Sequence, residues 1–174
     1  MNAALISDDY RNLNARQHFE RPEWGRQSIK WWEVIRKLCD QLGVKKFLDY
    51  GCGKAMLREA LEPFGYEVTC YDPAVPAFSD PPEPHLFVVC TDVLEHIEPE
   101  CLDSVLADLA RVTRKGCFVV IATRPATRPM VDGTNPHRIV ETREWWIAKL
   151  AGHFNIGRHD DTSDQVFTAM VSPK

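Results

Sequence analysis

Apolar positions change their period along this chain, and each change marks an element. Over residues 28–42, Ile29, Trp32, Ile35 and Cys39 recur at three- and four-residue steps. That spacing puts them on one face of a helix, which Gly43 stops. An earlier helix is read over about 8–20, with Pro22 and Gly25 separating the two. Short apolar runs then alternate with helical patterns. Phe47 and Leu48, Glu67–Tyr71, Leu86–Cys90 and Cys117–Ala122 read as buried strands. Lys54–Leu61 and residues 99–113 read as helices, the second with the inward stripe Leu102, Val105, Leu106, Leu109 and Val112, and with Pro99 in its first turn. Strands alternating with helices predict an α/β domain built on a parallel sheet. A long loop, Thr123 to Glu141, precedes a helix capped by Thr142 that turns Trp145, Trp146 and Leu150 inward. Ile156–Arg158 and Gln165–Val171 fit a closing antiparallel pair.

One interval is short for such a sheet. Pro73 to His85 carries five prolines and has no room for a helix–strand–helix unit. A strand at the edge of the sheet is therefore expected to be missing; the oligomeric state is not readable from the sequence, although a free edge is a place where two copies can pair. The length of 174 residues fits a single domain, 1–174, in which residues 1–45 form an N-terminal helical cap. A net charge of −4 excludes a protein that coats nucleic acid by charge alone. Six cysteines form no C-x-x-C pair, and Cys70, Cys90 and Cys117 fall inside predicted strands, so they read as reduced core residues. A start without basic residues or an apolar stretch, and the lack of any eighteen-residue apolar run, lead us to expect a soluble cytoplasmic protein with no membrane partner.

The chemistry concentrates in Lys46 to Ala55, KFLDYGCGKA, where a buried strand turns through alternate glycines into a helix. Ligands of open α/β sheets bind at such turns, beyond the carboxyl ends of the strands. The dinucleotide pattern G-x-G-x-x-G fails, because Met56 stands where close helix–strand packing needs a small residue. Asp49, Gly51, Gly53 and Ala55 instead resemble the first motif, acid-x-G-x-G-x-G, of class I S-adenosylmethionine (SAM) methyltransferases, with alanine in the last glycine's place. The resemblance implies a Rossmann-like sheet, here abbreviated, with the family's third strand and its flanking helices missing. It implies that Gly51, Cys52 and Gly53 run under the methionine half of the cofactor, with Asp49 near its ammonium directly or through water. Asp72, followed by Pro73, ends the next strand and is placed to hold the ribose hydroxyls. Tyr10, Asn14, His18 and Trp24 are candidates to fold over the cofactor, as N-terminal helices do in many members, the other reading of this segment being a solvated cap. Asp80-Pro81-Pro82-Glu83 lacks the aromatic of the D/N-P-P-aromatic signature of DNA-base methyltransferases and precedes the strand it should follow.

A second constellation follows the strand at 86–90. In Asp92-Val93-Leu94-Glu95-His96 the first, fourth and fifth residues share a face if the segment is one helical turn. His137, in the loop after the neighbouring strand, is placed to join them. Two carboxylates and two imidazoles suit Mg²⁺, Mn²⁺, Fe²⁺, Co²⁺ or Zn²⁺. The pattern is similar to that of the metal-dependent small-RNA 3′-terminal 2′-O-methyltransferases and of the ubiquinone-biosynthesis O-methyltransferases. The run from His137 to Glu144 also looks like their histidine leading into a T-R-E helix start. This likeness covers about 46 to 150. It departs where Asp92 replaces a glutamate, where the sheet is abbreviated, and where no RNA-binding domain is present.

The expectation is a SAM-dependent methyltransferase acting on a hydroxyl, with a divalent metal at Asp92, Glu95, His96 and His137 and with His96 or His137 taking the proton. Two other readings stand beside it: a metal-free N- or O-methyltransferase of a small metabolite, with His137 as base, and a SAM-binding module or partner subunit without turnover. Asp72 to Ala110 holds nine acids and no lysine or arginine, whereas Arg111 to Leu150 holds eight basic residues against three acids. Arg124, Arg128, Arg138 and Arg143 lie in or beside the acceptor-side loop. Such a rim steers an anionic acceptor, a nucleotide, an RNA end or a phosphorylated sugar, or is simply solvated surface.

Overall fold

A computed structural model describes residues 4–163 and 165–174. Its six strands are β1 (Lys46–Tyr50), β2 (Glu67–Tyr71), β3 (His85–Thr91), β4 (Thr113–Ala122), β5 (Phe154–Ser163) and β6 (Val166–Pro173), in the order β2-β1-β3-β4-β6-β5. β2, β1, β3 and β4 pair parallel, and the β5–β6 hairpin joins β4 antiparallel. Between β2 and β3 the described residues form only a short 3-10 turn, Pro76–Phe78, so β2 is the edge of the sheet. The abbreviation expected from the prolines is present.

Successive side chains of a strand point to opposite faces, and β1 shows what each face receives. Phe47 packs with Phe87, Val89 and Val120 under α2 (Trp32–Leu42) and α3 (Met56–Leu61), through Ile35, Cys39, Leu57 and Leu61. Leu48 and Tyr50 pack with Val88, Cys90 and Val119 on the other face, under α4 (Leu102–Val112) and α5 (Arg143–His153), through Leu106, Leu109, Trp146 and Leu150. Truncating a fully buried leucine of this kind to alanine costs about 2–5 kcal/mol.

Boundaries differ from the sequence reading where tertiary contacts decide them. The predicted helix 54–61 begins only at Met56, because Ala55 is left-handed (φ 57°) and the chain is still turning. Residues 27–31 and 99–101 are 3-10 turns that lead into α2 and α4. β4 starts four residues before the predicted Cys117, and β5 extends beyond Ile156–Arg158, because each gains a neighbouring strand along its length. α1 (Asp8–Glu20) is capped by Ser7, whose hydroxyl accepts from the Tyr10 N–H. Among the described residues no helix is long and apolar enough to cross a membrane.

Candidate active site

The carboxyl ends of β1 and β2 are tied to each other and to the loop that follows β1. The Gly51 and Cys52 N–H groups both donate to the Tyr71 carbonyl, at 2.7 and 3.0 Å. Asp72 uses its two oxygens separately: Oδ2 accepts from Gly53 N–H at 3.0 Å and Oδ1 from Ala74 N–H at 2.9 Å. Gly51 (φ 80°) and Gly53 (φ 52°) hold a backbone that side chains rarely adopt. Neither has room for a methyl group, since a Cβ on Gly51 would lie 2.4 Å from Val93 Cγ2 and one on Gly53 would lie 2.7 Å from the Gly25 carbonyl oxygen. Asp49 lies beneath this loop, 1 % exposed, with neither carboxylate oxygen hydrogen-bonded. Burial, then the nearby Cys70 and Asp72, push its pKa well above the usual carboxylate range.

Above the loop opens a cavity of about 570 Å³. Gly51, Cys52, Gly53, Asp72, Pro73 and Ala74 line one end. Asp92, His96, Arg124 and His137 line the other, and Tyr10, Asn14, Gln17, His18, Trp24, Lys30 and Trp31 roof it from the N-terminal segment. The roof is fastened by polar ties. Tyr10 Oη donates to the His96 carbonyl (2.8 Å), Gln17 Oε1 accepts from Val131 N–H (2.8 Å), and Glu98 accepts from the Ser7 N–H and hydroxyl (2.8 and 2.6 Å). All four N-terminal candidates of the sequence reading therefore reach the cavity. Lys30, Trp31 and Gln17, which the sequence reading did not single out, also line it.

Beyond β3 the expected helical turn does not form. Asp92 adopts φ 54° and donates its N–H to the Val120 carbonyl, and only Leu94–His96 coil, as a 3-10 turn. The i, i+3, i+4 alignment of Asp92 with Glu95 and His96 is lost. Glu95, His96 and His137 each offer one ligand atom, and these atoms lie within 4.8 Å of one another. Asp92 is not part of that group. Its neighbours are Lys30, His137, Trp31 and Arg124 instead, and burial raises its pKa against their pull.

Each member of the group is fixed from behind. Glu95 is fully buried; Oε1 accepts from Ala122 N–H at 2.9 Å, while Oε2 has no partner. Desolvation, helped by Asp92, raises its pKa. His96 Nδ1 lies 3.1 Å from the Pro136 carbonyl and His137 Nδ1 bonds the Arg124 carbonyl. Carbonyls only accept, so both Nδ1 atoms carry the proton and both Nε2 lone pairs stay free. Burial lowers both histidine pKa values, that of His96 further through the facing His137, so both rings are neutral at pH 7. The two rings meet edge to face at 4.8 Å, and Trp24 packs edge-on against His96 at 5.6 Å.

A model of the methyltransferase domain matches residues 17–163. No curated protein matches the sequence. Among solved structures, the chain is similar to the Burkholderia thailandensis 1,6-didemethyltoxoflavin-N1-methyltransferase with bound 1,6-didemethyltoxoflavin and S-adenosylhomocysteine, at TM-score 0.71 and 14% identity, over 100% of this chain and 93% of that one. It is also similar to the magnesium protoporphyrin IX methyltransferase from Synechocystis PCC 6803 with bound SAM (TM-score 0.63, 17% identity, 100% of both chains). A third likeness is to the PH0226 protein of Pyrococcus horikoshii OT3 (TM-score 0.64, 13% identity, 97% and 100%).

Proposed function

Because this chain belongs to the methyltransferase-domain family, we propose that it transfers a methyl group from SAM to a hydroxyl oxygen of a small acceptor, with a divalent cation held by Glu95, His96 and His137. The cavity has the size of small-ligand sites in general. Its two ends divide the work. The glycine loop and Asp72 suit a nucleoside and its sulfonium arm, and their fit rests on a backbone approach that a single Cβ would block. SAM supplies the electrophilic methyl. The two structural relatives bound to SAM or its product, one with a small heterocycle and one named for a porphyrin, favour a small-molecule acceptor.

The observation that carries the acceptor end is the Glu95–His96–His137 group. A buried carboxylate with one orphaned oxygen beside two neutral imidazoles, each with Nε2 free, is the donor set of a nitrogen–oxygen cation site. A cation there would act as a Lewis acid on the acceptor hydroxyl. The chain's own residues do the remainder: the Pro136 and Arg124 carbonyls hold the imidazole tautomers, Trp24 walls the site, and the N-terminal segment roofs the cavity. One observation favours a second reading without a cation: the lowered pKa of His137 leaves it a neutral base within the same cavity, able to take the hydroxyl proton itself.

Calorimetric titration of MnCl₂ into protein saturated with S-adenosylhomocysteine separates the two. One Mn²⁺ per chain in the wild type, and none in Glu95→Gln or His137→Ala at unchanged S-adenosylhomocysteine affinity, is expected. No binding of Mn²⁺ or of the other divalent ions would overturn the metal reading and leave the histidine base.

A further inference from the structure

Four residues of α1 face the cavity, and three of them have their hydrogen bonds within the protein. Tyr10 holds the His96 carbonyl, Gln17 accepts from Val131, and Asn14 Nδ2 donates to the Tyr10 carbonyl at 2.9 Å. His18 has none among the described residues. Its Nδ1 is buried and without a partner. The cause is the close passage of Gly25, where a Cβ would lie 2.5 Å from His18 Cε1 and 3.0 Å from Nδ1. The Gly25 backbone covers that edge of the ring.

The tautomer follows. Leaving a lone pair unmatched costs less than burying an N–H without an acceptor, so the ring proton sits on Nε2. Burial lowers the pKa of His18 against the attraction of Asp72, with Lys54 adding to the lowering, and the ring is neutral. The groups facing it are then accounted for. Lys54 Nζ is committed to the Arg21 and Pro22 carbonyls, and the Asp72 oxygens each take one backbone N–H and can only accept further. His18 thus has a single N–H donor, and it lines the same cavity as the Asp72 carboxylate, whose charge acts on its ring. A hydroxyl between them would donate to Asp72 and accept from His18.

We propose that His18 is a cofactor-binding residue whose Nε2–H donates to a ribose hydroxyl of the bound cofactor, with Asp72 accepting that hydroxyl's proton. The contact rests on the reading of the cavity as a SAM site. It also ties α1, whose Tyr10 end holds His96, to occupancy of the cofactor end.

The test compares two ligands on wild type, His18→Ala and His18→Gln by calorimetry. S-adenosylhomocysteine and 5′-methylthioadenosine share the ribose, but only the first has the amino-acid carboxylate. His18→Ala is expected to weaken both by the same factor, about five- to tenfold. His18→Gln, which keeps an N–H donor at similar reach, is expected to restore most of the loss. Weakening of S-adenosylhomocysteine alone would put the contact on the carboxylate and overturn the ribose assignment, and unchanged affinity for both would overturn the contact altogether. In the wild-type protein, ring ¹⁵N shifts must report His18 protonated at Nε2, with slower exchange of that proton once S-adenosylhomocysteine is bound; an Nδ1-protonated ring contradicts the proposal even if His18→Ala does not fold. A folded wild type that binds neither ligand would instead sink the SAM reading itself, and this contact with it.

Discussion

Asp49 carries an electrostatic cost that no hydrogen bond offsets. Its carboxylate is buried, neither oxygen has a hydrogen bond, and its folded pKa is well above the usual value. The native state then holds a proton that the unfolded chain releases near pH 4. The contribution of this group to stability is therefore present below that pH and is lost as pH rises toward the folded pKa, at up to about 1.4 kcal/mol per pH unit. Asp49→Asn removes the dependence. Urea unfolding at pH 5 and pH 8 should show the variant gaining stability over wild type at the higher pH, and a difference that is flat with pH would mean the carboxylate is not desolvated. Ala55 shows a related local cost: it sits where the motif has its last glycine, in a left-handed conformation (φ 57°) that glycine adopts freely. How far a residue's role is legible in sequence depends on this kind of context. The glycine spacing pointed to the turn, and the distance from it pointed to Asp72, which the structure ties to Gly53 and Ala74. Asp92 was singled out by spacing too, but its placement apart from Glu95 and His96 was not legible, because its positive φ breaks the helical turn on which the spacing argument relied.

At the level of elements, α1 is held by hydrogen bonds more than by apolar packing. Only Tyr10 and Gln17 of its residues are buried, and the ties run from Ser7, Tyr10 and Gln17 to loops around the acceptor end. Segments with few buried apolar contacts open at low free-energy cost, which suits a roof that must admit ligand and release product. Tyr10→Phe keeps the ring and deletes the donor to the His96 carbonyl. A stability loss of about 1 kcal/mol is expected, together with a several-fold lower kcat at unchanged S-adenosylhomocysteine affinity. A variant that instead loses cofactor affinity and keeps kcat would show that the tie serves the other end. α1 was readable as a helix, with its side chains toward the cofactor as one of two possibilities. Its near-uniform polarity carried no sign of which face docks, because the docking is through hydrogen bonds. α4 was the opposite case: its stripe from Leu102 to Val112 is the buried face.

Across the whole molecule, the parallel order β2-β1-β3-β4 places the loops after β1, β2, β3 and β4 on one edge of the sheet, and those loops supply both ends of the cavity. The proline-rich interval made the missing edge strand legible, because proline composition bears directly on what backbone can form. The lengths of β4 and β5 were not legible, since partners distant in sequence set them. The account stands first on the cofactor. Calorimetric titration of S-adenosylhomocysteine into the purified protein and into Gly53→Ala tests it most directly. We expect one-to-one binding to the wild type and at least a hundredfold loss, about 2.7 kcal/mol or more, in the variant, whose new methyl group must displace the Gly25 backbone. A folded wild-type protein that takes up no S-adenosylhomocysteine would contradict the account.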